Sequence, residues 1–375
     1  MTDVPAATSP EAGVLPANGF LSLLRQGNLA HGIYWVLIAA DLAVYFIVHW
    51  LRPDVIPTNL LAGGLLVFAG SLPIMFICLV MLRLYHVAHN IRPERPALVL
   101  LKDLKDFLLH PQRMANGLPM LLIMVIFGLV FADVQGKILT LNPSTWDSYF
   151  ANMDSVLHFG YQPWQLLQPV LGYGPVTFLI NINYSVWYLV MWMFFMFFGF
   201  ASEQNVLRTR FFLCFMATWT IGGGVLATVF SSAGPCYYSR LGLTPDPYTD
   251  LMAYLRNVNE TLPVWAIGIQ DALWEGHLSR TPLSEISAMP SMHNSSALLF
   301  ALVGFQVNRF WGWMLTVHAA LIFIGSIHLA WHYAVDSYFV WGLTLVIWYT
   351  MAPVSRWWHH SPAQEEFDRM LAAGT

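Results

Sequence analysis

Two short stretches near the C-terminus carry the residue types that could do chemistry. One reads SAMPSMHNSS, residues 287–296, and the other HLAWHYAVD, residues 328–336. Each lies at the rim of an apolar run, so His293, His332 and Asp336 can meet at a membrane surface. Two imidazoles and a carboxylate can break and remake a phosphate ester. One histidine attacks phosphorus, the carboxylate orients and charges it, and the other histidine protonates the departing oxygen. His328, His332 and Asp336 stand at i, i+4 and i+8, so on a helix they share one face. Asp336 can then accept from Nδ1–H of His332, which leaves Nε2 as the nucleophile. A structural His–Asp pair closing a helix bundle carries the same signature, but an ionisable group at the end of a span is expensive and points to function. In the first stretch, Pro290 ends a turn and Ser291 can cap the following helix by accepting a backbone N–H. The first-turn N–H groups near His293 then form an anion site suited to phosphate. A capped helix with an interfacial histidine reads the same way alone, so it is the pairing of the two stretches that carries the argument.

The elements that must position these groups are membrane helices. The chain is 57% hydrophobic and 10% charged, with mean hydropathy +0.55, against roughly a quarter charged in a soluble domain. Lipid is therefore the solvent for most of it. A net charge of −4 gives no case for nucleic acid. Cys78, Cys214 and Cys236 are scattered, with neither a disulfide framework nor a metal spacing. Residues 1–30 are polar, Ala/Pro-rich and without the apolar core of a signal peptide, so they read as a loose cytosolic tail.

Runs able to cross about 30 Å of hydrocarbon occur at 31–51, 59–85, 117–136, 176–200, 211–230, 294–308, 312–332 and 336–353, the sixth being short. The expectation is an all-α polytopic bundle of about eight transmembrane helices. It forms a single membrane domain over 31–355, with a catalytic core near 176–353 and a cytosolic tail at 356–375. Under that topology twelve of the 17 Lys and Arg fall on the side of the termini and five, Arg52, Lys137, Arg240, Arg256 and Arg280, on the other. The positive-inside rule makes the termini cytoplasmic. His293, His332 and Asp336 then share the outer face, the periplasm for a bacterial inner membrane or the lumen in a eukaryote. Residues 97–110 repeat leucine and phenylalanine at helical spacing opposite Lys102 and Lys105, which reads as an amphipathic helix on the cytoplasmic leaflet or a soluble connector. The outer segments 137–175 and 231–293 are long, and the first is rich in Trp and Tyr suited to the headgroup layer.

The pair of motifs resembles the second and third signatures of the type 2 phosphatidic acid phosphatase superfamily, P-S-G-H followed by Ser-Arg, then His and Asp. The close match covers about fifty residues, and the last four spans match more loosely. The resemblance implies His332 as phosphate nucleophile, Asp336 as its partner and His293 as the acid on the leaving group. Two departures stand out. The first phosphatase motif, a lysine followed by Arg-Pro, is missing, and Gly325-Ser326 stands where the phosphatases carry Ser-Arg. That pattern, with SSAGPCYY at 231–238, is similar to the branch of inositol phosphorylceramide synthases and, more distantly, sphingomyelin synthases. Those enzymes move a phospholipid headgroup onto an alcohol.

With the usual clamp missing, Arg240 is the first candidate to neutralise phosphate, followed by Arg280 and Arg256; each can equally be a surface residue at the headgroups. Gly234 with Pro235 can shape a turn near substrate, and Tyr237, Ser291 and His328 complete the candidate lining. Asp154, His158 and Gly160 either border the mouth of the site or belong to an interfacial helix. No metal and no cofactor is expected. The partners expected are a membrane phospholipid and a lipid acceptor, and no oligomeric state is read from the chain. Three functions compete: transfer of a phospho-headgroup between lipids through a phosphohistidine, hydrolysis of a lipid phosphate with water as acceptor, and a non-catalytic lipid transporter or scaffold. Three catalytic-type residues together argue against the last, and the missing phosphatase bases favour transfer.

The sidedness is open to test. Cysteine reporters near residue 105 should be labelled only from the cytosol and those near residue 260 only from outside. The reverse pattern would remove the reason for placing the two motifs on the outer face.

Overall fold

The computed structural model describes residues 17–51, 60–143, 146–279 and 285–373, and among them every regular element is helical. The N-terminal helices are α1 (Ala17–Ala30), α2 (Gly32–Leu51), α3 (Leu60–His86), α4 (Pro96–Leu108), α5 (Pro111–Gly136) and the short α6 (Ile138–Leu141). The segment 137–175 holds α7 (Asp147–Leu157) and α8 (Pro163–Leu171), and the long α9 (Gly174–Gly199) and α10 (Val206–Thr218) follow. A π-helical stretch, Trp219–Leu226, carries α10 on into α11 (Ala227–Val229). The second outer segment contributes α12 (Thr249–Asn259) and α13 (Trp265–Ser279), before α14 (Met292–Val307), α15 (Arg309–His328), α16 (Ala334–His359) and α17 (Pro362–Ala373).

Six helical stretches are long and apolar enough to cross a membrane: Leu72–Ile91, Pro111–Leu141, Gly174–Gly199, Val206–Val229, Arg309–His328 and Ala334–His359. The pair Gly19–Ala30 and Gly32–Ile47, bent by 58° at its break, makes a seventh if counted as one span. The remaining expected span, the sixth at 294–308, is α14. At 16 residues it rises only about 24 Å, short of the roughly 30 Å of hydrocarbon. It is also packed against α10, α15 and α16 with most of its residues buried, so its apolar residues answer to protein more than to lipid.

Of the expected tails, residues 1–16 and 374–375 lie outside the described residues, and the described parts are helical. Residues 17–30 form α1, and Leu23 and Ala30 are buried with Ala115, Phe367 and Leu371, so α1, α5 and α17 close one end of the bundle. A buried cation fixes the break between α1 and α2. Arg208 donates to the carbonyl of Phe198 at 2.7 Å, to Gln204 Oε1 at 2.8 Å and to His31 Nε2 at 2.9 Å. A guanidinium at the C-terminal carbonyls of α9 meets the negative end of the helix dipole. In α4 the apolar residues divide. Leu104 packs inward and Phe107 lies under Arg83 and Arg113, whereas Leu98 and Leu101 are exposed among Lys102 and Lys105.

Two aspartates of α7 tie the outer segment to the third motif, and both are 1% exposed. Asp147 accepts from the backbone N–H of Gly234 at 2.8 Å and of Ala233 at 3.0 Å, and from Tyr333 Oη at 2.8 Å. Asp154 accepts from Ala334 N at 2.7 Å and Val335 N at 3.0 Å. These are first-turn N–H groups of α16 that no residue of that helix can satisfy, so Asp154 caps α16 from another helix and fixes where it starts.

Burial raises the Asp154 carboxyl to about 7, with the neighbouring Asp336 adding to the rise and the two N–H bonds opposing it. The sign follows from linkage. A carboxyl that holds its proton to about pH 7 when folded but releases it near pH 4 when unfolded weakens the native state as pH rises between those values. The unfolding temperature in detergent should therefore fall between pH 5 and pH 7.5, and Asp154→Asn should flatten that fall. An unchanged slope in the variant would contradict the assignment.

Candidate active site

His332 sits in a turn. The helix expected to carry His328, His332 and Asp336 on one face ends at His328, and α16 begins at Ala334. Ala330 adopts a left-handed φ of 60°, and the N–H groups of Trp331 and His332 both bond the Ser326 carbonyl, at 2.9 and 3.0 Å. That reversal removes His328 from the face. Asp336 stays within reach because it lies in the first turn of α16, where its Oδ2 accepts from Tyr333 N at 3.0 Å.

The closest partner of the His332 ring is a backbone carbonyl. Nδ1 lies 2.8 Å from Ala288 O and 3.4 Å from Asp336 Oδ2. A carbonyl can only accept, so Nδ1 carries the hydrogen and the lone pair is on Nε2. Asp336, fully buried, supplies charge beside the bond more than the bond itself.

SSAGPCYY holds the two motifs around this ring. Ala288 N donates to Ser232 O at 2.9 Å and Met289 N to Ser232 Oγ at 3.1 Å. On the other side Cys236 N donates to Ala330 O at 3.0 Å. Gly234 between them has φ +106°, and a Cβ there would stand 2.7 Å from Trp331 O. Only glycine allows both that conformation and that approach.

His293 is the second residue of α14, behind the N-cap Ser291, whose Oγ accepts from Asn294 Nδ2 at 3.0 Å. Its ring lies 4.8 Å from that of Tyr184, 4.1 Å from Trp187 and 6.0 Å from His332. Two imidazoles thus face one another, one with a fixed free nitrogen and a carboxylate behind it, the other among aromatic rings. Such a pair can pass a group to nitrogen on one side and a proton on the other.

Other expected residues lie in the scaffold and away from the open side of the pair. Tyr237 is buried, stacks on Trp274 and donates to Gln270 O at 3.0 Å, and burial pushes its hydroxyl up in pKa. His328 is fully buried with Nε2 2.8 Å from Thr177 Oγ1. Ser291 and Asp154 are committed as helix caps, and His158 bonds Tyr338 Oη at 3.1 Å. Arg240 is ion-paired with Asp271 and leans over Tyr237 and Trp274. Arg256 approaches the same carboxylate at 3.5 Å. Arg280 lies outside the described residues. The reasons are local: each of these side chains sits where a helix end or loop needs a partner.

Sequence reasoning missed Asp147, Tyr184, Trp187 and the Ala288 carbonyl. Asp147, in an outer segment too long for a simple connector, had a signal; a backbone carbonyl has none. Among the described residues no group of three or more His, Cys, Asp or Glu is arranged to hold a metal ion.

No curated protein and no solved structure matches the chain. The family model of the PAP2 superfamily matches residues 148–350. That stretch is more than half of the chain and contains both histidines, Asp336, the SSAGPCYY clamp and the helices that carry them. Membership points to phosphatase or phosphotransferase chemistry on lipid phosphates, in a protein whose apolar helices make it multi-pass. The chain therefore belongs to the PAP2 superfamily.

Proposed function

We propose that this protein transfers a phospho-headgroup from a membrane phospholipid to a lipid alcohol through a phosphohistidine. This reading takes up the resemblance of its motifs to those of the inositol phosphorylceramide synthases. The observation that carries the reading is the His332 ring, held through Nδ1 by Ala288 O at 2.8 Å with Asp336 at 3.4 Å and facing His293 at 6.0 Å.

In this reaction His332 Nε2 attacks phosphorus and the bond from phosphorus to the glyceride oxygen breaks. His293 gives its proton to that oxygen, and the diacylglycerol leaves. Nitrogen now carries the headgroup phosphate, and the imidazole has become cationic. Asp336 stabilises that cation, and the Ala288 carbonyl keeps the ring from turning. The acceptor hydroxyl then attacks phosphorus, its proton passes to His293, and His332 leaves as neutral imidazole.

The electrostatics support a donor with a single phosphate charge. Arg240 and Arg256 are drawn to Asp271, and neither bonds the histidines or Asp336. A phosphodiester carries one negative charge, whereas a monoester approaches two near neutral pH and asks for more cation than this arrangement directs at it. The outward-facing site expected from the distribution of Lys and Arg is part of the proposal. Donor lipids would then enter from the outer leaflet.

The test is to incubate purified protein with headgroup-labelled phospholipids, with and without ceramide or diacylglycerol. A labelled new lipid that needs the acceptor is expected; labelled free phosphate without it would replace transfer by hydrolysis. His332→Ala should abolish covalent labelling. Asp336→Asn should lower turnover by about 10²–10⁴-fold. His293→Ala should be inactive with an ordinary lipid donor, yet regain intermediate formation with a donor whose leaving group is a stabilised phenolate. Rescue of His332→Ala by that donor, with none for His293→Ala, would reverse the two roles. Nucleophile and acid are both side chains here, so activity should survive EDTA, and strict dependence on added Mg²⁺ would sink the mechanism.

A further inference from the structure

The two histidines are supported differently. His332 has a carbonyl and a carboxylate behind it. His293 has neither: among the described residues its ring makes no hydrogen bond and no ion pair. Its neighbours are the Tyr184 ring, stacked at 4.8 Å and 22°, and the Trp187 ring, at 4.1 Å and 42°. Both rings are themselves pinned. Trp331 stacks on Tyr184 at 6.5 Å and 7°, and Trp219 on Trp187 at 6.4 Å and 7°. Tyr184 is 7% exposed and Trp187 5%, so water is excluded from the faces that meet His293. A Cβ at Gly325 would come within 3.0 Å of Tyr184 Cδ2, so the α15 backbone is shaped to let that ring reach the imidazole.

An acid that must donate a proton has to hold one first, and an imidazolium in a dry apolar setting loses it unless something negative is near. The face of an aromatic ring is the negative end of its quadrupole, and it attracts a cation most strongly where water is excluded. We infer that Tyr184 and Trp187 are positioning residues for the general acid: their ring faces favour His293 as imidazolium against its burial and the His332 ring 6.0 Å away, both of which oppose that charge. The inference rests on the proposed role of His293 and adds the means by which that role is sustained. Proton bookkeeping is unchanged, since the cage neither gives nor takes a proton.

The account predicts a loss that depends on the leaving group. Trp187→Leu removes one face and should slow transfer from an ordinary phospholipid donor by about 10- to 30-fold. With a phenolate-leaving phosphodiester, which needs no proton, the same variant should form the His332 adduct at close to the wild-type rate. That second rate also reports that the protein is folded. Trp187→Phe retains an aromatic face and should recover most of the loss, and it serves as the test if the leucine variant fails to assemble. Tyr184→Phe should change little and Tyr184→Leu should behave like Trp187→Leu.

Equal slowing of Trp187→Leu with both donors would overturn the inference by reducing the cage to packing. So would wild-type rates with the ordinary donor. Failure of the underlying reading looks different. If His293→Ala is not rescued by the phenolate donor, His293 is not the acid, whatever the aromatic variants do.

Discussion

Two parts of the chain meet at one imidazole nitrogen of a third. Nδ1 of His332 needs the Ala288 carbonyl at 2.8 Å and the Asp336 carboxylate at 3.4 Å, and those groups come from the strand-like entry to α14 and the first turn of α16. Neither segment can hold that place alone, since one is a loop and the other a helix end. SSAGPCYY bonds the first of them through Ser232 to Ala288, and the turn that carries His332 through Cys236 to Ala330. Asp147 in turn bonds SSAGPCYY and Tyr333, and Asp154 bonds the start of α16. The order of dependence runs from α7 to the clamp, from the clamp to the turn, and from the turn to one hydrogen on one ring. Buried carboxylates are expensive unless bonded, and both aspartates of α7 are bonded through their two oxygens to backbone N–H groups.

The same constraint explains why the site is asymmetric. The Ala288 carbonyl and Asp336 both lie beside His332, which in the proposed reaction gains positive charge on attack and needs charge at that moment. His293 is left to α9, a membrane helix rich in aromatic rings and without a carboxylate, so its support can come only from ring faces. The outer arginines follow the same logic. Arg240 and Arg256 are held by Asp271 over an aromatic surface, which keeps strong positive charge from competing for Asp336.

The helical class, the membrane setting and the nearness of His293, His332 and Asp336 were legible in the sequence, because hydropathy and short-range spacing speak directly to them. Details set by tertiary partners were not. HLAWHYAVD contains no glycine or proline, so nothing local announces the reversal at Ala330, which three backbone bonds impose. Asp154 read either as a residue at the mouth of the site or as part of an interfacial helix; it is a cap because α16 starts beside it. The polar composition of residues 17–30 hid a helix whose few apolar side chains meet α5 and α17. Tyr184 and Trp187 stand in YSVWYLVMWMFF, where one aromatic looks like another until a histidine from α14 arrives between them. The carbonyl of Ala288 belongs to every residue type and is visible only in three dimensions.

The central claim is that a headgroup phosphate rests on His332 between donor and acceptor. The most direct measurement is an alkaline quench of protein turning over a headgroup-labelled phospholipid without acceptor, followed by peptide mass spectrometry of the trapped adduct. The account predicts a headgroup-phosphate adduct on the peptide containing His332, located on that ring and discharged when the lipid alcohol is added. An adduct on His293, or steady transfer with no adduct on either histidine, would contradict it.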